Sequence, residues 1–281
     1  MKIIECPRDA MQGIQPFIPT DRKAAYIHQL LKVGFDTLDF GSFVSPKAIP
    51  QMRDTGEVLN LLDLSGTSSK LLAIVANARG AEDALHFDEI TYLGFPFSIS
   101  ETFQQRNTNK SIIQALNTLD EIQQLCIKKD KQLVSYISMG FGNPYGDPYD
   151  PEVVAKFTEI LVSIGIKIIS LADTIGVSNP DNITYLYTHL VKEYPQVEFG
   201  AHLHSNPSTA LEKIDSAYRA GCRRFDGAIR GYGGCPMAED ELVGNIATEG
   251  ILSYFEKKNL ELGINRAEFD LALSASSAIF G

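Results

Sequence analysis

The sequence predicts a single (β/α)₈ barrel. Eight short runs rich in Ile, Val, Leu and Phe alternate with longer helical patterns along the 281 residues, and buried parallel strands have this composition. Strands that alternate with helices predict a parallel sheet, and eight such units predict closure into a barrel. The alternative is an open doubly wound sheet. No Gly-x-Gly-x-x-Gly pattern follows any of the runs, as a dinucleotide site in that fold would require.

The predicted strands take up the apolar runs in chain order. They are Lys2–Cys6, Thr37–Gly41, Leu71–Val75, Glu89–Leu93, Leu133–Ser138, Lys167–Leu171, Val197–His204 and Arg224–Ala228. In a barrel, catalytic residues lie in the loops after the strands, so the residues that follow these runs are the candidates for chemistry.

Helix boundaries are predicted from capping residues and prolines. One helix begins at Thr20 and ends near Gly34, and the longest covers about Thr108 to Lys128. Gly165 and Gly221 stand where helix C-caps are needed. Four more helices are predicted to begin at a capping residue followed by proline, which is tolerated at the first helical position. These pairs are Ser45-Pro46, Asp150-Pro151, Asn179-Pro180 and Asn206-Pro207.

Composition limits the domain organisation and the partners. No linker or charge block divides the chain, so residues 1–281 are predicted to form one catalytic domain. The net charge of −10 argues against nucleic acid or an anionic membrane as the main partner. The N-terminus lacks a signal-peptide pattern, no run is long enough to span a membrane, and the four cysteines form no C-x-x-C pair. We therefore expect a cytoplasmic protein with reduced thiols.

Two of the strand ends carry residues that bind metals. Arg8 and Asp9 follow the first strand, where a surface ion pair is the alternative interpretation. The seventh strand ends in His202 and His204, and residues two apart on a strand point to the same side. Both imidazoles can therefore converge on one metal ion, although hydrogen-bonded structural histidines remain the alternative.

A glycine-rich loop follows the eighth strand. Gly231, Gly233 and Gly234 precede Cys235, which indicates a mobile loop with an exposed thiol, although Cys235 could also be an inert packing residue. Asn245 lies further along and offers an amide oxygen. With Asp9, His202 and His204 it completes a mixed nitrogen and oxygen ligand set, which suits Mg²⁺ or Mn²⁺ at least as well as Zn²⁺.

Several motifs together resemble the 3-hydroxy-3-methylglutaryl-CoA lyase family, within the metal-dependent barrels that include isopropylmalate and homocitrate synthases. The resemblance extends nearly from end to end of the chain, and the Gly-Gly-Cys-Pro loop indicates the lyase branch. The matching segments are Pro7-Arg8-Asp9 with Gln12, Ser42-Phe43-Val44-Ser45-Pro46-Lys47, Ser100-Glu101-Thr102-Phe103, Ser170-Leu171-Ala172-Asp173-Thr174-Ile175-Gly176, His202-x-His204, Gly233-Gly234-Cys235-Pro236 and Gly244-Asn245-Ile246-Ala247-Thr248-Glu249.

The resemblance implies a role for each matching residue. The metal ligands would be Asp9, His202, His204 and Asn245. The residues near the reacting atoms and the substrate would be Arg8 (enolate oxygen), Cys235 (general acid), Asp173 and Asp39 (near the reacting hydroxyl), and Gln12 and Ser42 (substrate binding). The resemblance also implies an acyl-CoA substrate, cleavage to acetoacetate and acetyl-CoA, and a homodimer.

Three departures from the family pattern keep other functions open. Ser205 stands where Asp is usual, Asp39 stands where Glu is usual, and the segment after Cys235 is more acidic than is common. One alternative is a related lyase or Claisen-type condensing enzyme that acts on another hydroxy-acyl thioester or a 2-hydroxy acid. Another is a weakened barrel that only binds ligands, although retention of Arg8 and both histidines argues against it.

Overall fold

The structure, a computed structural model, describes residues 1–234 and 243–281. Within them the strands β1 to β8 pair in parallel, each with the next along the chain, and β8 pairs with β1 to close a barrel. The predicted fold class is therefore confirmed. The strands are β1 Lys2–Glu5, β2 Thr37–Ser42, β3 Lys70–Ile74, β4 Ile90–Ser98, β5 Gln132–Ser138, β6 Ile168–Asp173, β7 Glu198–Leu203 and β8 Arg224–Gly227.

The helices cover the outside of the barrel. They are α1 Pro7–Met11, α2 Thr20–Leu31, α3 Thr55–Asn60, α4 Ala78–Ala84, α5 Glu101–Thr108, α6 Ile112–Lys128, α7 Pro151–Ser163, α8 Pro180–Glu193, α9 Ala210–Arg219, α10 Thr248–Lys257 and α11 Arg266–Phe280, with short 3₁₀ turns at Pro50–Met52 and Ile229–Gly231. None of the helices in the described part of the chain is long and apolar enough to cross a membrane.

Three of the predicted helix starts are wrong. The long helix begins at Ile112 instead of Thr108, because Ser111 and Gln114 form a reciprocal capping box there. Asn109 has a left-handed backbone that ends α5. Ser45-Pro46 begins only a turn, and the chain after Asn206 makes a turn before α9 starts at Ala210. The starts at Asp150 and Asn179 are confirmed, with a side-chain cap at each.

The barrel interior has an apolar side and a polar side. A small apolar cluster with members from β3 to β6 fills one side and is separate from the larger core beneath the helices. The inward-facing positions of β2, β7 and β8 alternate with residues of the outer core and are mostly polar, and Cys6 after β1 adjoins them. We call this second group the polar interior, and its members are Cys6, Asp39, His202, Arg224 and Asp226.

Candidate active site

A pocket of about 420 Å³ opens at the carboxyl ends of the strands, the end at which barrel enzymes carry their chemistry. Its wall includes residues at or after the ends of β1 to β7. The sequence-predicted residues among them are Arg8, Asp9, Gln12, Ser42, His202 and His204. The barrel thus brings together side chains that are far apart in the sequence.

The short helix α1 presents three of these side chains. Pro7 occupies its first turn directly after β1, where its missing N–H costs no hydrogen bond. Arg8 and Asp9 lie in the same turn, and the N–H of Gln12 donates to the carbonyl of Arg8 at the other end. The fixed φ of proline starts this helix at the rim, so all three polar side chains point into the pocket.

Arg8 connects two carboxylates. Its Nε donates to both oxygens of Asp39 at 3.2 and 3.0 Å, and Nη2 donates to Asp39 Oδ2 at 2.5 Å. Its Nη1 donates to Asp9 Oδ1 at 3.1 Å and to Gln12 Oε1 at 2.9 Å. Burial works against the charged form of Arg8, but the two carboxylates outweigh it, so the pKa of the guanidinium is raised and it stays a cation.

The expected metal ligands converge. One ligand atom from each of Asp9, His202 and His204 lies within 4.8 Å of those of the other two. The Nδ1 of His202 contacts Asp226 Oδ2 at 3.1 Å, and the Nδ1 of His204 contacts the carbonyl of Thr174 at 3.1 Å. The buried Nε2 of His204 has no hydrogen-bond partner among the described residues. An unsatisfied buried nitrogen beside a carboxylate and a second imidazole fits a divalent cation.

Burial and neighbouring charges shift the pKa values of the three candidate ligands, in part in opposite directions. Burial raises the pKa of Asp9, but Arg8 and the two histidines outweigh it, so its pKa is lowered and Asp9 is a carboxylate. Burial and the neighbouring His202 lower the pKa of His204 to about 4, so its imidazole is neutral. Burial lowers the pKa of His202, but Asp226 and Asp9 outweigh that effect and the net shift is upward. A carboxylate and a neutral imidazole are both in the form that binds metals.

Asn245 lies beside Asp9, but its amide nitrogen faces the carboxylate. Nδ2 donates to Asp9 Oδ2 at 2.6 Å and to the carbonyl of Tyr232 at 2.9 Å. Amides bind metal ions through oxygen, so the side chain would have to turn to act as a ligand.

Two predicted acidic residues do not line the pocket. Asp39 is buried behind Arg8, and burial raises the pKa of its carboxyl more than Arg8 lowers it. Asp173 is the last residue of β6, and its carboxylate accepts hydrogen bonds from Ser178 in the following loop and from Lys213 at 2.9 Å. Lys213 also donates to the carbonyl of His204 at 3.0 Å. Asp173 therefore supports the backbone at His204 and does not reach the site itself.

Cys235 lies outside the described residues, but the glycines before it border the site. Gly233 has a φ of 101°, and a Cβ on it would lie 2.6 Å from the Asn245 amide nitrogen and 3.0 Å from the Asp9 carbonyl. Only glycine fits such a close approach with this backbone. The loop that leads to Cys235 therefore packs directly against the candidate metal ligands.

The sequence analysis missed the residues that hold the two histidines. Asp226 contacts His202 across neighbouring strands, and the Thr174 carbonyl holds His204. An acidic residue inside a predicted buried strand, Phe225-Asp226-Gly227, was the signal that could have identified Asp226. The Thr174 contact uses the backbone and leaves no such signal.

The HMGL-like family model matches residues 2–274. The chain belongs to the HMGL-like family. The hydroxymethylglutaryl-CoA lyase YngG of Bacillus subtilis is 34% identical over 258 residues, which cover 92% of this chain and 85% of that protein. Solved structures of HMG-CoA lyases also superpose closely on this chain. A B. subtilis HMG-CoA lyase structure superposes with a TM-score of 0.93 at 32% identity, covering 100% of this chain and 93% of that one.

A second solved structure, an HMG-CoA lyase of A. baumannii in complex with coenzyme A and 3-methylmalate, has a TM-score of 0.92 at 30% identity. It covers 100% of this chain and 91% of that one. These relatives confirm the family resemblance. They also confirm the prediction that the protein is a carbon–carbon lyase similar to HMG-CoA lyase.

Proposed function

We propose that this protein cleaves 3-hydroxy-3-methylglutaryl-CoA to acetoacetate and acetyl-CoA in a reaction that depends on a divalent metal. The proposal rests on one observation above all. Asp9, His202 and His204 converge within 4.8 Å beside the buried guanidinium of Arg8, which lines the same pocket. A ligand set next to a fixed cation suits a reaction in which two oxygen atoms carry developing charge.

Asp9, His202 and His204 would hold the metal, with Asn245 as a further ligand once its oxygen faces the ion. Mixed carboxylate, imidazole and amide donors favour Mg²⁺ or Mn²⁺, and Zn²⁺ is also compatible with them. When bound, such a cation lowers the pKa of a substrate hydroxyl and orients it. The residues of the chain itself supply the remaining functions.

Cleavage breaks the bond between the hydroxyl-bearing carbon and the carbon beside the thioester. The hydroxyl proton passes to water in the pocket, and the hydroxyl oxygen becomes the ketone oxygen of acetoacetate. The electron pair of the broken bond forms the thioester enolate, and a proton added to that carbon yields acetyl-CoA. We assign Arg8 to stabilise the enolate oxygen, because its side chain lines the pocket and its guanidinium is always charged. We assign Cys235 to the final proton transfer, on the basis of the glycine loop that leads into the site.

The other predicted residues receive supporting roles. Gln12 and Ser42 line the pocket and are proposed to contact the substrate. Asp39 holds two of the guanidinium nitrogens of Arg8 and is proposed to fix its direction. We propose no catalytic role for Asp173, since Lys213 and Ser178 already satisfy its carboxylate.

An acyl-CoA substrate is supported by charge at the pocket wall. Arg106 and Lys110, from the end of α5 and the segment after it, also line the pocket. We propose that they attract the phosphates of coenzyme A, which a chain of net charge −10 would otherwise repel. The A. baumannii relative, solved with coenzyme A, supports the same substrate class.

A second candidate is cleavage or formation of a different hydroxy acid or its thioester. The specific observation that favours it is the 3-methylmalate in the A. baumannii structure, since that compound is a 2-hydroxy acid. The departure at Ser205 does not decide between the two candidates. Its hydroxyl is directed to Asn206 and Thr209 and away from the ligand atoms.

We further propose one catalytic domain over residues 1–281, a homodimer on the basis of family resemblance, and a cytoplasmic location. The three cysteines in the described part of the chain are buried and free, which is consistent with a reducing compartment.

The test is a screen of hydroxy-acyl-CoA esters and free 2-hydroxy acids with chelator-treated protein, with and without added Mg²⁺ or Mn²⁺. Chromatography would quantify released acetyl-CoA. We expect metal-dependent release from 3-hydroxy-3-methylglutaryl-CoA in preference to the other compounds. Release from another ester only would support the second candidate, and full activity without metal would refute the metal assignment.

A further inference from the structure

The two candidate metal-binding histidines are held by different kinds of partner. The Nδ1 of His204 contacts a backbone carbonyl, that of Thr174, whereas the Nδ1 of His202 contacts the side chain of Asp226. The side chain of Asp226 is 0% exposed. A carboxylate that accepts from Nδ1–H leaves the opposite nitrogen, Nε2, free to bind a metal. Only the His202 contact can be removed by changing a side chain.

The Asp226 carboxylate is not satisfied by this contact alone. Its Oδ1 has no hydrogen-bond partner among the described residues, and an isolated buried carboxylate is expensive. Arg224, two positions earlier on β8, is fully buried, and its Nε and Nη2 also have no hydrogen-bond partner among the described residues. Residues two apart on a strand share a face, so both side chains belong to the polar interior.

Two further unsatisfied groups lie in the same interior. The Ser170 hydroxyl and the Tyr136 hydroxyl also lack partners in the described chain. A Cβ on Gly200 would touch Ser170 Oγ at 2.9 Å and Arg224 Cδ at 3.1 Å, which places those two side chains together. Clustered buried donors and acceptors of this kind are regularly joined by ordered water.

We propose that Arg224 and Asp226 form a charge pair, bridged by ordered water, that fixes the orientation of His202 for divalent-metal binding. Asp226 is therefore a positioning residue, and Arg224 compensates its buried charge. The remaining Arg224 nitrogen, Nη1, donates to Glu198 at 3.2 Å at the opposite end of the barrel. The pair thus links the amino-terminal end of the barrel to the metal site. This inference rests on the metal site of the proposed function, but not on its substrate.

One other arrangement uses the same residues. Cys6, His202 and Asp226 also place ligand atoms within 4.8 Å of one another, so an ion bound deeper in the barrel would make Asp226 a ligand. Such an ion would have the sulfur of Cys6 as a ligand. Cys6→Ala separates the two arrangements, because only a deep ion would lose affinity.

The test measures metal affinity without substrate. Mn²⁺ is titrated into chelator-treated protein and free Mn²⁺ is followed by electron paramagnetic resonance. Asp226→Asn should weaken binding by about 10- to 100-fold, the usual effect of losing the partner of a metal-binding histidine. Arg224→Met should weaken it in the same direction. Ser135→Ala removes another buried hydroxyl without a partner, on β5 and facing the opposite side of the sheet from Tyr136. It is the matched control and should leave the affinity unchanged, as should Cys6→Ala.

Asp226→Asn leaves the Arg224 charge buried and could unfold the protein. The double variant Asp226→Asn with Arg224→Met removes both charges and still lacks the carboxylate, so it should bind Mn²⁺ as weakly as the single Asp226 variant. Equal Mn²⁺ affinity in wild type and in a folded variant without Asp226 would overturn the inference, as would a large loss in Cys6→Ala. A protein that shows the Asp226 effect but releases no acetyl-CoA would retain the inference and refute only the proposed reaction.

Discussion

Replacing Arg8 with lysine tests whether the guanidinium takes part in chemistry. Arg8 makes five N–H···O contacts to Asp39, Asp9 and Gln12, whereas a lysine ammonium has three donors and no planar fork. Arg8→Lys keeps the charge but loses at least two of these contacts, together with the fixed direction of the remaining ones. Loss of one positioned donor to a developing oxyanion typically lowers kcat by about 10²–10³-fold, or about 2.7–4 kcal/mol.

The assay is acetyl-CoA release at saturating metal, with Mn²⁺ affinity and Tm measured on the same samples. Mn²⁺ affinity should change little, since Asp9 keeps its contacts with Gln12 and Asn245. Arg53→Lys is the matched control, because Arg53 lies exposed over the ring of Phe17, 3.7 Å from its centroid. A fall in kcat of less than about threefold for Arg8→Lys, far below the usual worth of such a donor, would show that Arg8 is only structural.

Three further predictions concern other groups. His204→Ala should weaken Mn²⁺ binding by more than about 100-fold, beyond the loss of an outer partner, while the exposed His189→Ala should not. Burial raises the pKa of Glu5 from 4.5 to about 8, so its contribution to stability is fully present below about pH 4.5 and is lost progressively as the pH rises from there to about 8. Glu5→Gln should therefore reduce the fall in unfolding free energy between about pH 6 and 9 by about 1–3 kcal/mol, measured by denaturant titration against the exposed Glu57→Gln. Cys235→Ser should lower the rate by roughly 10²–10⁴-fold and leave Mn²⁺ affinity and Tm unchanged; normal turnover would remove its assignment as the acid.

The parts of the site that local geometry governs could be predicted from the sequence. His202 and His204 converge because alternate residues of any strand share a face. Arg8 and Asp9 join them because a parallel barrel brings all its strand ends to one rim. These inferences need only the strand positions, so errors of a residue or two in the strand boundaries did not affect them.

Features that depend on long-range partners could not be predicted. Asp173 ends β6 at the correct rim, but Lys213 on α9 pairs with its carboxylate, which does not line the pocket. Asp226 reaches His202 only because β7 and β8 are neighbours in a particular register. The start of α6 was missed for a different reason, because the local capping box of Ser111 and Gln114 begins that helix and Thr108 does not.

The charges at the pocket floor connect metal binding to substrate binding. The guanidinium of Arg8 forms ion pairs with both Asp9 and Asp39. These three groups together therefore present no excess positive charge to a polyanionic acyl-CoA. The chain as a whole has a net charge of −10, and Arg106 and Lys110 are further basic side chains that line the pocket. A divalent cation at Asp9 reverses the sign of the floor where the acyl group must bind. In the proposed reaction the metal would therefore contribute to substrate affinity as well as to catalysis, and the pairing of Arg8 with Asp9 lowers the pKa of the carboxylate that would hold it.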